Sequence, residues 1–341
     1  MPRGWRGLKN TPPPMVRFPS HELEEVRVST VSVPPVVDPT LDEPPATKRR
    51  DTKAALIMVA PAVILLLAFV VVPLIAAGWL SLHNVRLNSG RPATWFGLQN
   101  YTRLLTDPEF YRGLANNFIF AIIVVPVQTG LALGLALLLN RPLRGMSAFR
   151  TFFFMPVVFP MALVAVIWKL IYSRDTLGML NAFLDWISVG HLGPYDWLGN
   201  PATAMLAIII LSIWQGVGFQ MIILLAGLQG IPTSLYEAAS IDKANRWQQF
   251  RNVTLPGLRN TLIFVIMVTT IFSFRLFDQV WILTQGGPDN ATTTVMFQAV
   301  TAAFTENNVG RGAAITVVFF VIVLLITLIQ RRILREEREV S

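Results

Sequence analysis

The sequence predicts an all-α membrane protein with six spanning helices, and three observations carry that prediction. Of its 341 residues, 53% are hydrophobic and 14% are charged, whereas a soluble globular domain carries about 25% charge. Six apolar runs are each long enough to cross a hydrocarbon layer about 30 Å thick, which takes about 20 residues per helix. Lys and Arg gather in alternate connections between those runs, as they do on the cytoplasmic side of a membrane.

The same composition argues against a cytosolic enzyme. The chain has no cysteine, which excludes disulfides, thiolate metal sites and a cysteine nucleophile. Its three histidines, His21, His83 and His191, lie far apart and offer no metal-ligand spacing. A net charge of +8 can signal a nucleic-acid partner. Here the basic residues flank apolar runs, so they read as cytoplasmic loops beside membrane lipid, and no nucleic acid is expected.

Residues 1–53 hold Pro12-Pro13-Pro14, Pro34-Pro35 and Pro44-Pro45 with mixed charge and no long apolar run. Such a segment buries too little apolar surface to offset its ordering entropy, so it reads as a disordered cytoplasmic tail. No apolar stretch follows the first basic residues, as a signal peptide would need. The apolar, membrane-spanning region is 54–335, and 336–341 form a short C-terminal cytoplasmic tail.

The spans are expected from about Ala54 to Leu82, Asn117 to Leu139, Phe152 to Tyr172, Ala204 to Leu228, Thr261 to Leu283 and Ala313 to Gln330. Helices suit all six, because a helix satisfies its own backbone hydrogen bonds in lipid. Pro61, Pro73, Pro126, Pro156 and Pro160 fall within or at the ends of spans, where a missing amide donor favours kinks. Fifteen Lys and Arg lie directly before the first span (within 48–53), in the second and fourth connections and after the last span, against seven on the other side. Both termini are therefore expected on the cytoplasmic side of the membrane.

The fourth connection, 229–260, is too polar to span lipid. Ser234 and Glu237 form an S-x-x-E capping box, which predicts a helix starting near Leu235. Ala238, Ala239 and Ala244 favour its continuation. Ala238, Ile241 and Ala244 recur at three-residue spacing, and Trp247 and Phe250 extend that surface. Pro256 predicts that no single helix runs past about Thr254. The result is a cytoplasmic helical element with an apolar face and a basic rim of Lys243, Arg246 and Arg251. It either packs on its own helix ends or docks into a partner groove.

Glu237-Ala238-Ala239, then Asp242, Ala244, Phe250 and Leu255-Pro256, resemble the EAA loop of ABC importer permeases. The pattern departs at Lys243, which stands where the family has a glycine associated with a bend between two short helices. Further segments resemble the carbohydrate subfamily, the relatives of the maltose and glycerol-phosphate permeases: Phe96 to Tyr101 (FGLQNY), Phe149-Arg150-Thr151, Gly178 to Asn181 (GMLN), Trp214 with Gly216 and Gly218, Ala226-Gly227-Leu228, and Leu283 to Pro288 (LTQGGP). The resemblance covers about 54–335 and implies the type I importer permease fold.

These residues contain no G-x-x-x-x-G-K-[ST] phosphate loop, so the chain is not its own P-loop ATPase. The resemblance implies a transport subunit that is not itself an enzyme and binds no cofactor. ATP and Mg would reside on a partner ABC ATPase dimer, beside a second permease that completes a heterodimer and an extracytoplasmic solute-binding protein, all at the cytoplasmic (inner) membrane of a bacterial or archaeal cell. Glu237, Ala238, Ala239, Asp242, Lys243, Ala244, Phe250, Leu255 and Pro256 would couple the two machines. Glu237 can cap the helix, touch the ATPase, or both; Lys243 can pair with a partner carboxylate or stay solvated. Phe250, Leu255 and Pro256 would hold the loop against the spanning helix ends.

Mid-membrane polar groups are costly and usually face a cavity. Gln128, Gln215 and Gln220, with Arg275 and Asp278, are therefore candidates for a solute pathway, and Trp214 and Phe274 could stack on a sugar face. Each has a plainer reading: Gln can join helices, Arg275 and Asp278 stand three apart and can neutralise each other, and Lys169 can snorkel. The expected solute is a sugar or oligosaccharide. The alternatives are a glycerol-phosphate or polyol importer and an ATP-independent secondary transporter.

Overall fold

The computed structural model describes residues 48–334 except 91, 142–143, 176–177, 189–190 and 192, with side chains from 55 onward. The expected tail lies outside the described residues apart from Lys48–Lys53, which already belong to a helix; the expected tail 336–341 lies outside them entirely. Contacts separate a unit ending at Pro61 from Ala62–Ser341, and the bundle is built from the second.

Helix α1 covers Ala55–Ser81, with a π turn at Leu67–Val71. A two-residue antiparallel pair, His83–Asn84 with Thr94–Trp95, follows. Then come α2 (Gln99–Leu105), α3 (Pro108–Leu139), α4 (Met146–Val158), α5 (Met161–Ile171) and α6 (Met179–Ser188). The chain continues through α7 (Pro201–Gln229), α8 (Thr233–Ile241) and α9 (Arg246–Gln249). It ends with α10 (Arg259–Phe274), α11 (Asp278–Leu283), α12 (Val295–Thr305) and α13 (Val309–Ile333).

Five helical stretches are long and apolar enough to cross a membrane, and a sixth crossing requires counting α4 and α5 together. The third expected span is thus not one helix. Its halves meet at 98°, because Phe159 turns extended (ψ 139°) ahead of Pro160; a residue before proline is pushed out of the helical region. The second, fourth and sixth spans are longer than the apolar runs suggest, because capped polar turns extend them. Asp107 accepts from the Glu109 amide at the start of α3, Asn200 from Ala202 at α7, and Asn308 from Arg311 at α13.

Small residues set the packing. Ala132 and Ala136 on α3 are fully buried against Val217, Met221, Leu224 and Leu228 on α7. At Gly218 an added Cβ would collide with the Phe153 carbonyl of α4, so backbones of α4 and α7 touch directly, as small residues permit between membrane helices. One cluster joins Leu139, Leu228, Ile231 and Leu258, which brings the second and fourth connections to one end of the bundle. At the other end Arg311 pairs with Asp107 at 2.9 Å and with Glu306 at 2.7 Å. Arg112 and Asn116 there donate to the carbonyls of Asp289 and Asn290. The first and fifth connections therefore meet at that end, the alternation that the Lys and Arg count implies.

One of the sequence segments singled out above, Phe96 to Tyr101, serves this end. Asn100 donates to the carbonyls of Ser81 and His83, and Tyr101 shares a hydrogen bond with Ser81, so α2 is stapled to the end of α1. We expect Gly218→Val to lower the unfolding free energy of the detergent-solubilised protein by about 1–3 kcal/mol. Gly134→Val, whose added atoms meet open space, should leave the denaturation midpoint nearly unchanged.

Candidate functional site

Two regions gather the polar residues that the sequence places in or beside the membrane. The first is the 229–260 segment. Helix α8 starts at Thr233, two residues before the expected start, with Pro232 at its N-cap and no side-chain cap. The expected Ser234–Glu237 capping box is therefore not formed. The reciprocal box sits one element later: Asn245 accepts from the Gln248 amide at 2.9 Å, and Gln248 accepts from the Asn245 amide at 2.7 Å. Proline has no amide to protect and a preset φ, so it opens α8 unaided.

The α8 C-terminus carries the main geometric finding. Lys243 has φ +56°, the left-handed region that favours glycine. Its amide bonds to the Ser240 carbonyl at 3.0 Å, and the Ala244 amide bonds to the Ala239 carbonyl at 2.9 Å. That pair of bonds is a Schellman closure. It turns the chain from α8 into α9 with a lysine doing what a glycine ordinarily does. Gln249 braces the corner by donating to Ser240 Oγ and the Ala244 carbonyl.

Beyond α9 the chain stays helical through Pro256, against expectation. A π turn over Phe250–Thr254 bonds the Leu255 amide to the Phe250 carbonyl, and the wider turn leaves room for the proline ring that an α turn lacks. The anchors to the bundle are Ile231 and Leu258, both buried in its core, with Tyr236 and Thr254 sharing a 3.0 Å hydrogen bond. Of the three residues expected to hold the loop, Phe250 is half-buried and stacked on Trp247, while Leu255 and Pro256 are exposed. Glu237, Ala238, Asp242 and Lys243 are exposed as well; Ala239 and Ala244 are half-buried. Leu235, Ile241 (81% exposed) and Trp247 (66%) project an apolar surface from the end of the bundle.

The second region is a cavity of about 560 Å³ between α3, α4, α7 and α10, within the size range of small-molecule sites. It brings together five of the seven candidates: Gln128, Gln215, Gln220, Arg275 and Asp278. Helix α10 ends at Phe274 and α11 restarts at Asp278, so Arg275 and Asp278 do not share one helix face. Among the described residues no ion pair joins them. Irregular backbone at membrane depth is tolerated where it lines a cavity or is buried in protein. The break is satisfied by Thr294, whose hydroxyl donates to the Leu276 carbonyl at 2.9 Å.

Gln220 donates to Thr269, and its Oε1 has no hydrogen-bond partner among the described residues. Gln128 lies against Gly216, where any side chain would displace its amide. Gln279, Ser212 and Ser273 also line the cavity, and Phe154, Phe219 and Phe272 give it aromatic walls.

Trp214 and Phe274 do not line it. Trp214 lies beside Trp168 on the outer face of α7, and Phe274 is buried between Phe118 and Phe319. The cavity stripe on α7 runs 212, 215–216, 219–220 and 223, the spacing of one helical face, and position 214 falls off it. The missed Gln279 is a further amide within an expected span, the same signal that marks Gln128, Gln215 and Gln220. Lys169 donates to the Ile282 carbonyl at 3.0 Å and so caps α11. Among the described residues no cluster of His, Asp or Glu could hold a metal ion.

Residues 128–339 match the family described as binding-protein-dependent transport system inner membrane component. The chain is 35% identical over 293 residues to a trehalose/maltose transport system permease protein of Thermococcus litoralis, covering 86% of this chain and 97% of that one. It is 34% identical over 287 residues to a lactose transport system permease protein of Rhizobium radiobacter, covering 83% and 94%. Among solved structures, a chain of a bacterial ABC transporter involved in import of the acidic polysaccharide alginate superposes with a TM-score of 0.72 at 22% identity, covering 86% of this chain and 98% of that one. That last likeness is one of fold.

A left-handed lysine costs about 1–2 kcal/mol relative to a right-handed one. Lys243→Gly should therefore raise the thermal unfolding midpoint of the purified protein, and Lys243→Val should lower it.

Proposed function

The chain belongs to the family of binding-protein-dependent transport system inner membrane components, and from that membership we propose that it forms half of the pathway of an ATP-driven ABC importer for a neutral sugar or oligosaccharide. It is a transport subunit, so the chemistry of ATP is assigned to a separate ATPase dimer. A second permease completes the pathway, and an external solute-binding protein delivers the solute. The secondary-transporter reading falls with family membership.

One observation carries the coupling assignment: a helix pair that buries none of its own apolar tip, held rigidly on the bundle. A soluble helix normally hides its apolar stripe, and α8 has no buried residue. Leu235, Ile241 and Trp247 would enter a groove of the ATPase, with Lys243, Arg246 and Arg251 as the polar rim. The sharp corner at Lys243 and the anchors Ile231 and Leu258 would pass motion of that groove to α7 and α10. Transport would then follow from a two-state equilibrium that ATP binding biases, each state differing in its contacts with α8 and α9.

The cavity supports the solute class. Its polar lining is mostly uncharged amide and hydroxyl, with Arg275 and Asp278 of opposite sign, a balance suited to a neutral polyhydroxylated solute. A glycerol-phosphate solute would call for convergent cations, and Arg275 is the only cation among the lining residues. The trehalose/maltose and lactose systems named among the relatives favour the same class. The Lys- and Arg-rich end that carries α8 supports a cytoplasmic location for both termini.

A double variant, Ile241→Asp with Trp247→Asp, tests the coupling surface. Tagged native protein should co-purify with an ATPase from its host in mild detergent. The variant should insert and fold normally yet lose at least about tenfold in recovered ATPase, equivalent to about 1.4 kcal/mol. Undiminished recovery would remove α8 and α9 from the interface.

A further inference from the structure

The GMLN segment that opens α6 has no part in the coupling loop or the cavity. It lies between the end of α5 and the start of α7, where the chain has left one span and not yet entered the next. Helix α6, MLNAFLDWIS, is amphipathic in an unusual sense: its apolar stripe faces outward. Met179, Phe183, Trp186 (77% exposed) and Ile187 are all exposed, and at about 100° per residue they share one face. Asn181, on the opposite face, is 2% exposed.

Asn181 explains why that orientation holds. Its amide nitrogen donates to the carbonyls of Ser173 and Tyr195 at 3.0 Å each. Its Oδ1 accepts from the Tyr195 amide at 3.2 Å and from Trp197 Nε1 at 2.9 Å. One side chain therefore ties α6 to the end of α5 and to the strand of chain entering α7. Gly178 makes the approach possible, since a Cβ there would collide with the Ser173 carbonyl. With its polar side stapled down, α6 has no freedom to roll its apolar stripe against the bundle.

Two observations fix what covers that stripe. The staple sits in a cluster of rings that Trp and Tyr form at membrane–water boundaries: Trp168 packs on Tyr172, Tyr172 on Trp197, and Trp197 on Tyr195. The preceding helix α5 also exposes apolar side chains, Leu163, Ile167 and Leu170. We propose that α6 is an interfacial helix that lies flat in the outer headgroup layer, with Met179, Phe183, Trp186 and Ile187 inserted among lipid chains and Asn181 as the positioning residue that sets its depth. A helix with this face in the boundary layer gains from apolar burial in lipid. It would hold the external end of the bent α4–α5 span, which lacks the length of a straight crossing.

The chain has no native cysteine, so spin labels can be introduced singly. Phe183→Cys, Trp186→Cys and Asp185→Cys are each labelled in protein purified with its accompanying subunits and reconstituted into nanodiscs of phosphatidylcholine and phosphatidylglycerol. Paramagnetic accessibility is then measured with oxygen, which partitions into lipid, and a nickel chelate, which stays in water. Labels at 183 and 186 should be relaxed more by oxygen than by nickel, and the label at 185 the reverse. Nickel access at 183 and 186 would show a water-facing helix and overturn the proposal. Shielding from both reagents would show a protein partner on the stripe and overturn it equally.

Discussion

Backbone amides and carbonyls have no water to bond in a bilayer, and the rest of this structure follows from how that demand is met. Most of the chain meets it with unbroken helices. The interruptions are few, and side chains supply what the helix gives up. Thr294 reaches the Leu276 carbonyl at the gap between α10 and α11. Lys169 takes the Ile282 carbonyl, and Arg150 takes that of Leu139 at the end of α3. The break at Arg275–Phe277 is thus affordable only because a cavity and a polar neighbour lie beside it, and that same break delivers Arg275 and Asp278 to the cavity wall.

The same logic separates the working surfaces. Inside the bundle, small residues draw α3, α4 and α7 together, and Gly216 leaves room for the Gln128 amide. At one end, the 229–260 segment is stiff where it joins the core and apolar where it leaves it. Rigidity comes from the Schellman corner at Lys243, the Asn245–Gln248 box and the Tyr236–Thr254 bond. A stiff lever with an exposed tip can carry a displacement from a partner into the spanning helices; a floppy loop would absorb it.

Much of this was legible in the sequence. The apolar runs gave the spans, the alternating Lys and Arg gave the two ends, and Glu237 to Pro256 marked the connection that reaches outward. Five of the cavity residues were visible because polar groups rarely enter spans without a reason. Trp214 and Phe274 suit a sugar by their chemistry but do not line the cavity; helical phase decides which residues face it. Ser234 and Glu237 match a capping pattern, but Pro232 opens the helix two residues earlier and leaves the pattern idle. Passage through Pro256 was not legible because a π turn depends on register, not on any one residue. Lys243 shows the reverse case: a lysine holds a left-handed corner of the kind that favours glycine.

Under the proposed function, this permease moves solute only with energy from an ATPase that grips α8 and α9. The most direct test is uptake of labelled disaccharide into proteoliposomes holding the chain with the subunits that purify alongside it, with the solute-binding protein outside and ATP or a non-hydrolysable analogue inside. Accumulation against a gradient with ATP, and none with the analogue, is the expected result. Accumulation that proceeds equally without ATP would contradict the account.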